Sequence, residues 1–278
     1  MITEFITVTS AGQALQGARE DSAFLAGGTE ILRLGSSVSR ARMINLKGLG
    51  LDTISVENQS VTIGAMVTFQ QALEHDAVPG YLKEALRFCA SRTRRNMATI
   101  GGNIALVRDD SYLLPTLVAA KARLVLADLA TDGSYVEENI PIREYHSFRD
   151  HFSGSLILGI ILNKPQRFVA SSRFSRTAQS PAAITVSFGA DISSGEPHDV
   201  RICAAIKGSG VVRLLQVEQS VASGHYRNAD DAVALAGADI LFADDSTGSA
   251  GYKRYLLGTA VADLFRCCLA AMGKGESV

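Results

Sequence analysis

The pattern of apolar and polar positions predicts strands and helices in irregular alternation along the first half of the chain. Short runs of β-branched and other apolar residues, which are typical of strands, occur at 5–8, 23–26, 43–46, 51–56, 60–64 and 122–127. Ser10 is a good N-cap residue, so a helix is predicted from there to residue 18. Helical spacing of Leu82, Leu86 and Cys89 predicts a second helix over 81–92, and others are predicted over 68–74 and 111–120.

The second half of the chain opens with a nearly continuous apolar strand at 155–162. Lys164-Pro165 ends that strand, and we place a domain boundary there. Beyond the boundary the pattern predicts strands at 167–175, 182–190 and 200–206, followed by two helices. The last helix, about 250–272, carries an apolar stripe. The sequence therefore predicts one domain over 1–165 and a second over 166–278.

Composition narrows the possible partners of these domains. The 278 residues are 47% hydrophobic and 20% charged, and 27 Lys and Arg balance 28 Asp and Glu for a net charge of −1. No basic field exists to hold a nucleic-acid backbone, so no nucleic acid is expected. No apolar run approaches the roughly 20 residues of a membrane span, and residues 1–30 lack the pattern of a secretory signal. We therefore expect a cytoplasmic protein.

The cysteines and histidines offer no pattern for a metal centre or a nucleophile. The four cysteines form no CxxC pair, and the five histidines are scattered without an HExxH motif. The adjacent Cys267 and Cys268 lie within the last predicted helix, where core packing is the expected role. We predict no metal site and no catalytic residue, so any redox chemistry needs an organic cofactor or another chain.

Two glycine pairs are the most informative features of the sequence. Gly27-Gly28 and Gly101-Gly102 each end an apolar stretch, and each is followed by a hydroxyl or amide residue. Paired glycines allow a sharp turn in which successive N–H groups point into one concavity that an anion can occupy. Either pair alone is more often a simple tight turn. Two such loops together predict a site that holds one pyrophosphate from both sides.

Three segments give the chain a resemblance to a known family. The segments AGGTEIL (26–32), RNMATIGGNI (95–104) and AGYKRYLLGTAVADLF (250–265) resemble the FAD-binding medium subunit of the molybdenum hydroxylases, the family of the xanthine dehydrogenase and carbon monoxide dehydrogenase flavoproteins. The resemblance implies an α+β fold: a two-subdomain FAD-binding domain of the PCMH type, with subdomains at about 1–56 and 57–165, and a C-terminal α+β domain of the CO dehydrogenase flavoprotein type. It implies FAD here, and the molybdenum cofactor and [2Fe–2S] clusters on a large and a small partner subunit.

The resemblance also implies which residues contact FAD. Carried over by position, the first loop comprises Phe24, Leu25, Ala26, Gly27, Gly28, Thr29, Glu30 and Ile31, and the second comprises Thr99, Ile100, Gly101, Gly102 and Asn103. Three further positions depart from the family pattern. Cys89 stands where an aromatic residue is found near the flavin, Tyr112 replaces an Asp, and Arg173 stands where a lysine is frequent. The neighbouring Asp109 and Asp110 could substitute for the missing acid or could be simply solvated.

Two further motifs admit more than one interpretation. Gly208-Ser209-Gly210 imitates the start of a dinucleotide-binding fingerprint, but Arg213 replaces the third glycine, so we predict a structural turn. Arg92, Arg94 and Arg95 form a basic cluster just before the second glycine loop. That cluster could neutralise a pyrophosphate, face an acidic partner or form a solvated helix end.

The sequence thus predicts an FAD-binding subunit that passes electrons from a partner iron–sulfur cluster to NAD+ or another acceptor, as in xanthine dehydrogenase. A flavin-less structural or assembly subunit is the first alternative, because of Tyr112 and Arg173. A free-standing flavin oxidase of the vanillyl alcohol oxidase type is the second.

Overall fold

The computed structural model describes residues 2–33, 40–178, 180–192, 195–226, 228–236 and 240–273. Contacts between residues divide the chain into two compact units. Unit 1 comprises Met1–Val78, Ala90–Leu106 and Ala122–Asn163, and unit 2 comprises Pro79–Cys89, Val107–Lys121 and Lys164–Val278. Compact units and domains are different divisions of a chain, so the domain boundaries given above stay a prediction.

The described chain contains strands and helices in the following order. The strands are β1 (Glu4–Thr7), β2 (Ser22–Leu25), β3 (Arg42–Asn45), β4 (Ile54–Glu57), β5 (Ser60–Gly64), β6 (Arg123–Leu129), β7 (Tyr135–Pro141), β8 (Leu156–Leu162), β9 (Phe168–Ser175), β10 (Ala182–Asp191), β11 (His198–Ile206) and β12 (Gly210–Arg213). The helices are α1 (Ala11–Gly17), α2 (Phe69–Glu74), α3 (Gly80–Cys89), α4 (Arg92–Arg95), α5 (Ile100–Leu106), α6 (Leu113–Ala119), α7 (Ile142–Ser147), α8 (Leu215–Ala222), α9 (Ala229–Ala236) and α10 (Ala250–Ala271).

Unit 1 contains two sheets. The first is parallel, with strand order β1-β3-β2, and α1 connects β1 to β2. Ser10 caps α1 as predicted, since its Oγ accepts a hydrogen bond from the Gln13 N–H at 3.2 Å. The second sheet is antiparallel, with order β4-β5-β8-β6-β7. Ile44 and Leu156 from the two sheets share one apolar cluster, so both sheets pack on a common core.

Unit 2 is built on a four-stranded antiparallel sheet with order β12-β11-β10-β9. Alternate residues of β10 face opposite sides, as in any strand. Phe188 joins the apolar cluster with α8, α9 and α10, whereas Ser187 hydrogen-bonds Thr116 of α6. At Gly189 an added Cβ would lie 2.1 Å from the Ala119 carbonyl oxygen, so glycine is required where α6 crosses the sheet.

The structure corrects two of the element predictions. The helix predicted over 81–92 ends at Cys89, and a separate short helix, α4, follows. Ser91 has an extended backbone between them, because serine favours cap positions over helix interiors. The region after β11 contains a further strand, β12, and three described helices in place of the two expected. Gly208 (φ +81°) and Gly210 (φ +92°) form the turn between β11 and β12, as predicted.

A fully buried lysine ties α10 to the rest of unit 2. The Lys253 ammonium donates to the Lys207 carbonyl at 2.7 Å, the Ala243 carbonyl at 2.9 Å and the Asp245 carboxylate at 2.8 Å. Burial opposes ionisation of Asp245, but the hydrogen bonds from Lys253 and Thr247 outweigh it and lower the pKa of Asp245 to about 2. The pair is therefore an internal support for the C-terminal helix.

Replacing Lys253 with methionine should destabilise the protein by about 2–3 kcal/mol, because it leaves a carboxylate and two carbonyls without their donor. Arg266→Met on the same helix removes an exposed charge and should change stability by less than about 0.5 kcal/mol. Urea unfolding of both variants measures the difference. Equal effects would show that the buried pair contributes nothing particular.

Candidate cofactor site

The first glycine loop follows directly on β2 in unit 1. Leu25 is buried at the end of the strand, and Gly28 then adopts a left-handed backbone with φ +69°. The Leu32 N–H donates to the Gly28 carbonyl at 3.0 Å and closes the turn. An added Cβ at Gly27 would lie 1.7 Å from the Met97 carbonyl oxygen, so only glycine fits there. Both glycines of this pair are therefore required by the backbone.

This loop presents N–H groups that the protein leaves available. Within the described part of the chain, the N–H groups of Gly27, Gly28 and Thr29 donate no hydrogen bond to protein. All three residues are half-buried. Successive N–H groups beside a left-handed residue form a concavity of partial positive charge that suits an anion. The loop thus has the geometry expected of an anion-binding site.

Charged side chains around the first loop favour an anion as well. The Glu30 carboxylate accepts from the Arg33 Nη2 at 2.7 Å and Nε at 3.1 Å, so its negative charge is offset. The Arg94 Nη2 donates to the Thr29 carbonyl at 3.1 Å and brings a positive charge from α4 to the loop. The contact of Arg94 was not evident from the sequence, because Arg94 is 65 residues from Thr29.

The second glycine pair behaves differently. It opens α5, and all of its N–H groups are already used inside unit 1. The donors and their acceptors are Ile100 to Val67 O (3.0 Å), Gly101 to Ala65 O (2.9 Å), Gly102 to Thr99 Oγ1 (3.1 Å) and Asn103 to Thr99 O (3.0 Å). The sequence predicted N–H groups free for an anion at both pairs, and at this pair the structure differs. Thr99 is a buried helix cap, which explains its hydroxyl group.

Glycine is needed at the second pair for close packing. An added Cβ at Gly101 would lie 2.6 Å from the Ala65 Cβ, and one at Gly102 would lie 2.8 Å from the Thr99 Oγ1. The same position at Gly102 lies 3.7 Å from the Ala26 Cβ in the first segment. The two glycine segments therefore lie side by side in unit 1, and the second supports the first.

Two of the three positions that depart from the family pattern, Tyr112 and Arg173, contact each other in unit 2. The Arg173 guanidinium carbon lies 4.2 Å from the centroid of the Tyr112 ring and 5.5 Å from that of Phe88. Arg173 Nη2 (2.9 Å) and the Tyr112 hydroxyl (3.2 Å) both donate to the Ser180 carbonyl. Burial raises the pKa of Tyr112 despite the nearby Arg173 charge. Tyr112 and Arg173 thus form one cation–π cluster.

The remaining candidates in unit 2 have internal partners. Cys89 donates its thiol hydrogen to the Ala85 carbonyl at 3.2 Å. The Asp109 carboxylate accepts hydrogen bonds from the Lys207 Nζ at 2.8 Å and from the Gly208 N–H at 3.0 Å. Asp110 is buried and ion-paired with Arg108 at 2.8 Å. Burial opposes ionisation of Asp110, but the hydrogen bond and the charge of Arg108 outweigh that effect and lower the pKa of Asp110. These two acids serve as structural ion pairs, which the sequence did not show.

The part of the chain that the structure describes holds no group of three or more His, Cys, Asp or Glu side chains arranged to bind a metal ion. None of the described helices combines the length and apolar character needed to cross a membrane.

Comparison with solved structures defines the class of fold. The chain is similar to one in carbon monoxide dehydrogenase from Hydrogenophaga pseudoflava, with a TM-score of 0.84 and 21% identity over 97% of this chain and 98% of that one. It is also similar to a chain of quinoline 2-oxidoreductase from Pseudomonas putida 86, with a TM-score of 0.78 and 19% identity over 99% of each chain. The predicted α+β fold of the CO dehydrogenase flavoprotein type is confirmed.

Sequence comparison identifies the family. Residues 2–164 match the family described as FAD binding domain in molybdopterin dehydrogenase, and the chain belongs to that family. A relative in Escherichia coli K12, the uncharacterized protein YgfM, is 32% identical over 275 residues, 98% of each chain. The predicted membership in the FAD-binding medium subunits of molybdenum hydroxylases is confirmed, as is FAD as the cofactor of the family.

Replacing Gly27 with alanine should destabilise the protein by about 3 kcal/mol or prevent folding, because the new Cβ overlaps a backbone carbonyl. The matched control is Gly154→Ala, where the added Cβ meets nothing within 4 Å. Thermal unfolding should show the control within about 0.5 kcal/mol of wild type. Similar stability for both variants would contradict the close approach.

The Arg173 and Tyr112 contact should be measurable by a double-mutant cycle. Arg173→Met and Tyr112→Leu should give a coupling free energy of about 0.5–2 kcal/mol in urea unfolding. The exposed Arg176, which makes no cation–π contact with Tyr112 in the described structure, provides the control pair and should give no coupling. Additive effects of Arg173→Met and Tyr112→Leu would argue against the cluster.

Proposed function

We propose that this chain binds FAD through its first glycine loop and serves as the flavin-carrying, electron-transfer subunit of a molybdenum hydroxylase complex. The observation that supports this most directly is the row of available N–H groups at Gly27, Gly28 and Thr29, in a chain whose family is defined by FAD binding. An anion of two phosphates matches such a row. The loop would hold the pyrophosphate of FAD.

The rest of the first loop suits this assignment. Phe24 and Leu25 end a parallel strand, and ligands of α/β units commonly bind beyond the carboxyl ends of parallel strands. The Glu30 carboxylate would repel a phosphate, but its pairing with Arg33 reduces that repulsion. Ala26, Ile31 and the second segment would form the wall of the site. The residues present therefore fit an anionic dinucleotide.

The second group of predicted contacts lies in unit 2. Cys89, Tyr112 and Arg173 remain proposed flavin contacts by resemblance alone. Arg173 is engaged with the Tyr112 ring and two backbone carbonyls, which reduces what it can offer a ligand. That observation gives some support to the alternative of a structural subunit without flavin.

The proposed reaction is electron transfer. FAD, when bound, accepts electrons and passes them on singly or as a hydride. The share of this chain is to bind the cofactor, orient it and set the charge around it, so no general acid or base is proposed. We further propose an iron–sulfur small subunit as electron donor, a molybdenum-cofactor large subunit as the site of substrate oxidation, and NAD+ or another acceptor for the electrons, as in xanthine dehydrogenase. Another similar solved structure is described as a Cu,Mo-CO dehydrogenase, which supports this type of complex.

Flavin content tests the proposal directly. The purified chain should be yellow and contain one FAD per chain, and chain stripped of cofactor should take FAD up again, as measured by absorbance and fluorescence quenching. A colourless protein that takes up no added FAD would overturn the proposal and favour the structural subunit. Turnover of an alcohol by this chain alone would favour the flavin oxidase instead.

A further inference from the structure

The three arginines of the basic cluster before the second glycine segment have different surroundings. Arg95 is half-buried and used internally, since its side chain donates to Gln70 Oε1 at 3.2 Å and to the Ala90 carbonyl at 2.8 Å. Arg92 is exposed, and within the described part of the chain its side chain makes no hydrogen bond or ion pair with the first loop. Arg94 is exposed but donates across to the Thr29 carbonyl at 3.1 Å. One of the three arginines thus reaches the first glycine loop.

The position of Arg94 is fixed by the backbone around it. Its carbonyl accepts from the N–H groups of Met97 (3.0 Å) and Ala98 (2.7 Å), which closes the turn after α4. That same turn presents the Met97 carbonyl against Gly27. The Arg94 side chain therefore holds Thr29, and the Met97 carbonyl of the same turn packs against Gly27. These two contacts together fix the first loop.

The chemistry of the guanidinium adds a second effect. Arginine has five N–H donors, and only one hydrogen bond of the Arg94 side chain is made within the described chain. The other donors and the full positive charge lie at the edge of a loop with three available N–H groups. Because Arg33 is already paired with Glu30, Arg94 supplies the uncompensated positive charge that contacts this loop in the part of the chain described.

We propose that Arg94 is a cofactor-positioning residue, which orders the first glycine loop through Thr29 and neutralises part of the charge of a pyrophosphate bound there. The inference rests on the proposed function, since it takes the ligand to be FAD. The sequence left open whether the cluster of Arg92, Arg94 and Arg95 neutralises a pyrophosphate, and the inference assigns that role to Arg94.

Titration of FAD into cofactor-free full-length protein tests the inference. Arg94→Met should raise the Kd for FAD about tenfold, Arg94→Lys should restore most of the affinity, and Arg92→Met, which removes the same charge from the same helix, should leave Kd within about twofold of wild type. The loss in Arg94→Met should shrink at high salt, because a charge effect is screened whereas a purely structural effect is not. Thermal unfolding of cofactor-free Arg94→Met should match wild type.

Each other outcome has a definite meaning. Equal Kd values for Arg94→Met and Arg92→Met would overturn the role of Arg94 while leaving the proposed function intact. A loss of FAD affinity in Arg94→Met that is independent of salt and not restored by lysine would also overturn it, because the charge would then have no part. A wild-type chain that binds no FAD would overturn the proposed function, and the inference with it.

Discussion

The candidate site depends on one close contact between two backbone segments. Gly27 lies so near the Met97 carbonyl that no other residue fits, and this contact holds the end of β2 against the turn that precedes α5. Backbone segments approach this closely only where a Cβ is absent on one side. The first loop is therefore ordered by packing before any ligand arrives, which reduces the entropy lost on binding.

The two glycine pairs are similar in sequence but differ in the hydrogen bonding of their N–H groups. The first pair leaves its N–H groups available, whereas the second uses each of its own on Ala65, Val67 or Thr99. A loop with no remaining donors cannot hold an anion through its backbone, so the second segment acts as a rigid support. Thr29 follows the first pair in the loop with available N–H groups, whereas Thr99 precedes the second pair and caps a helix. Preorganised donors backed by a rigid element are what a charged cofactor requires.

Much of the fold could be predicted from the sequence, because strands and caps depend on local chemistry. Ser10 and the hairpin of β4 and β5 are examples, since the cap and the β-branched alternation lie within a few residues. The helical apolar spacing runs to Cys89, the last residue of α3, so it carried no information on the break between α3 and α4 that follows. Within the candidate site, residue types located the glycine segments, but which N–H groups remain available depends on acceptors such as Ala65, far away in the chain. The contact of Arg94 with Thr29 and the pairing of Tyr112 with Arg173 are likewise long-range, so no pattern in the sequence could reveal them.

We propose that the first glycine loop, and not the second, binds the pyrophosphate of FAD through its backbone. Amide hydrogen exchange of the full chain with and without FAD measures this most directly, because it reports on individual backbone segments. We expect FAD to slow exchange in residues 26–31 and to leave residues 100–103, whose N–H groups are already bonded, nearly unchanged. New protection in 100–103 without any in 26–31 would contradict the account.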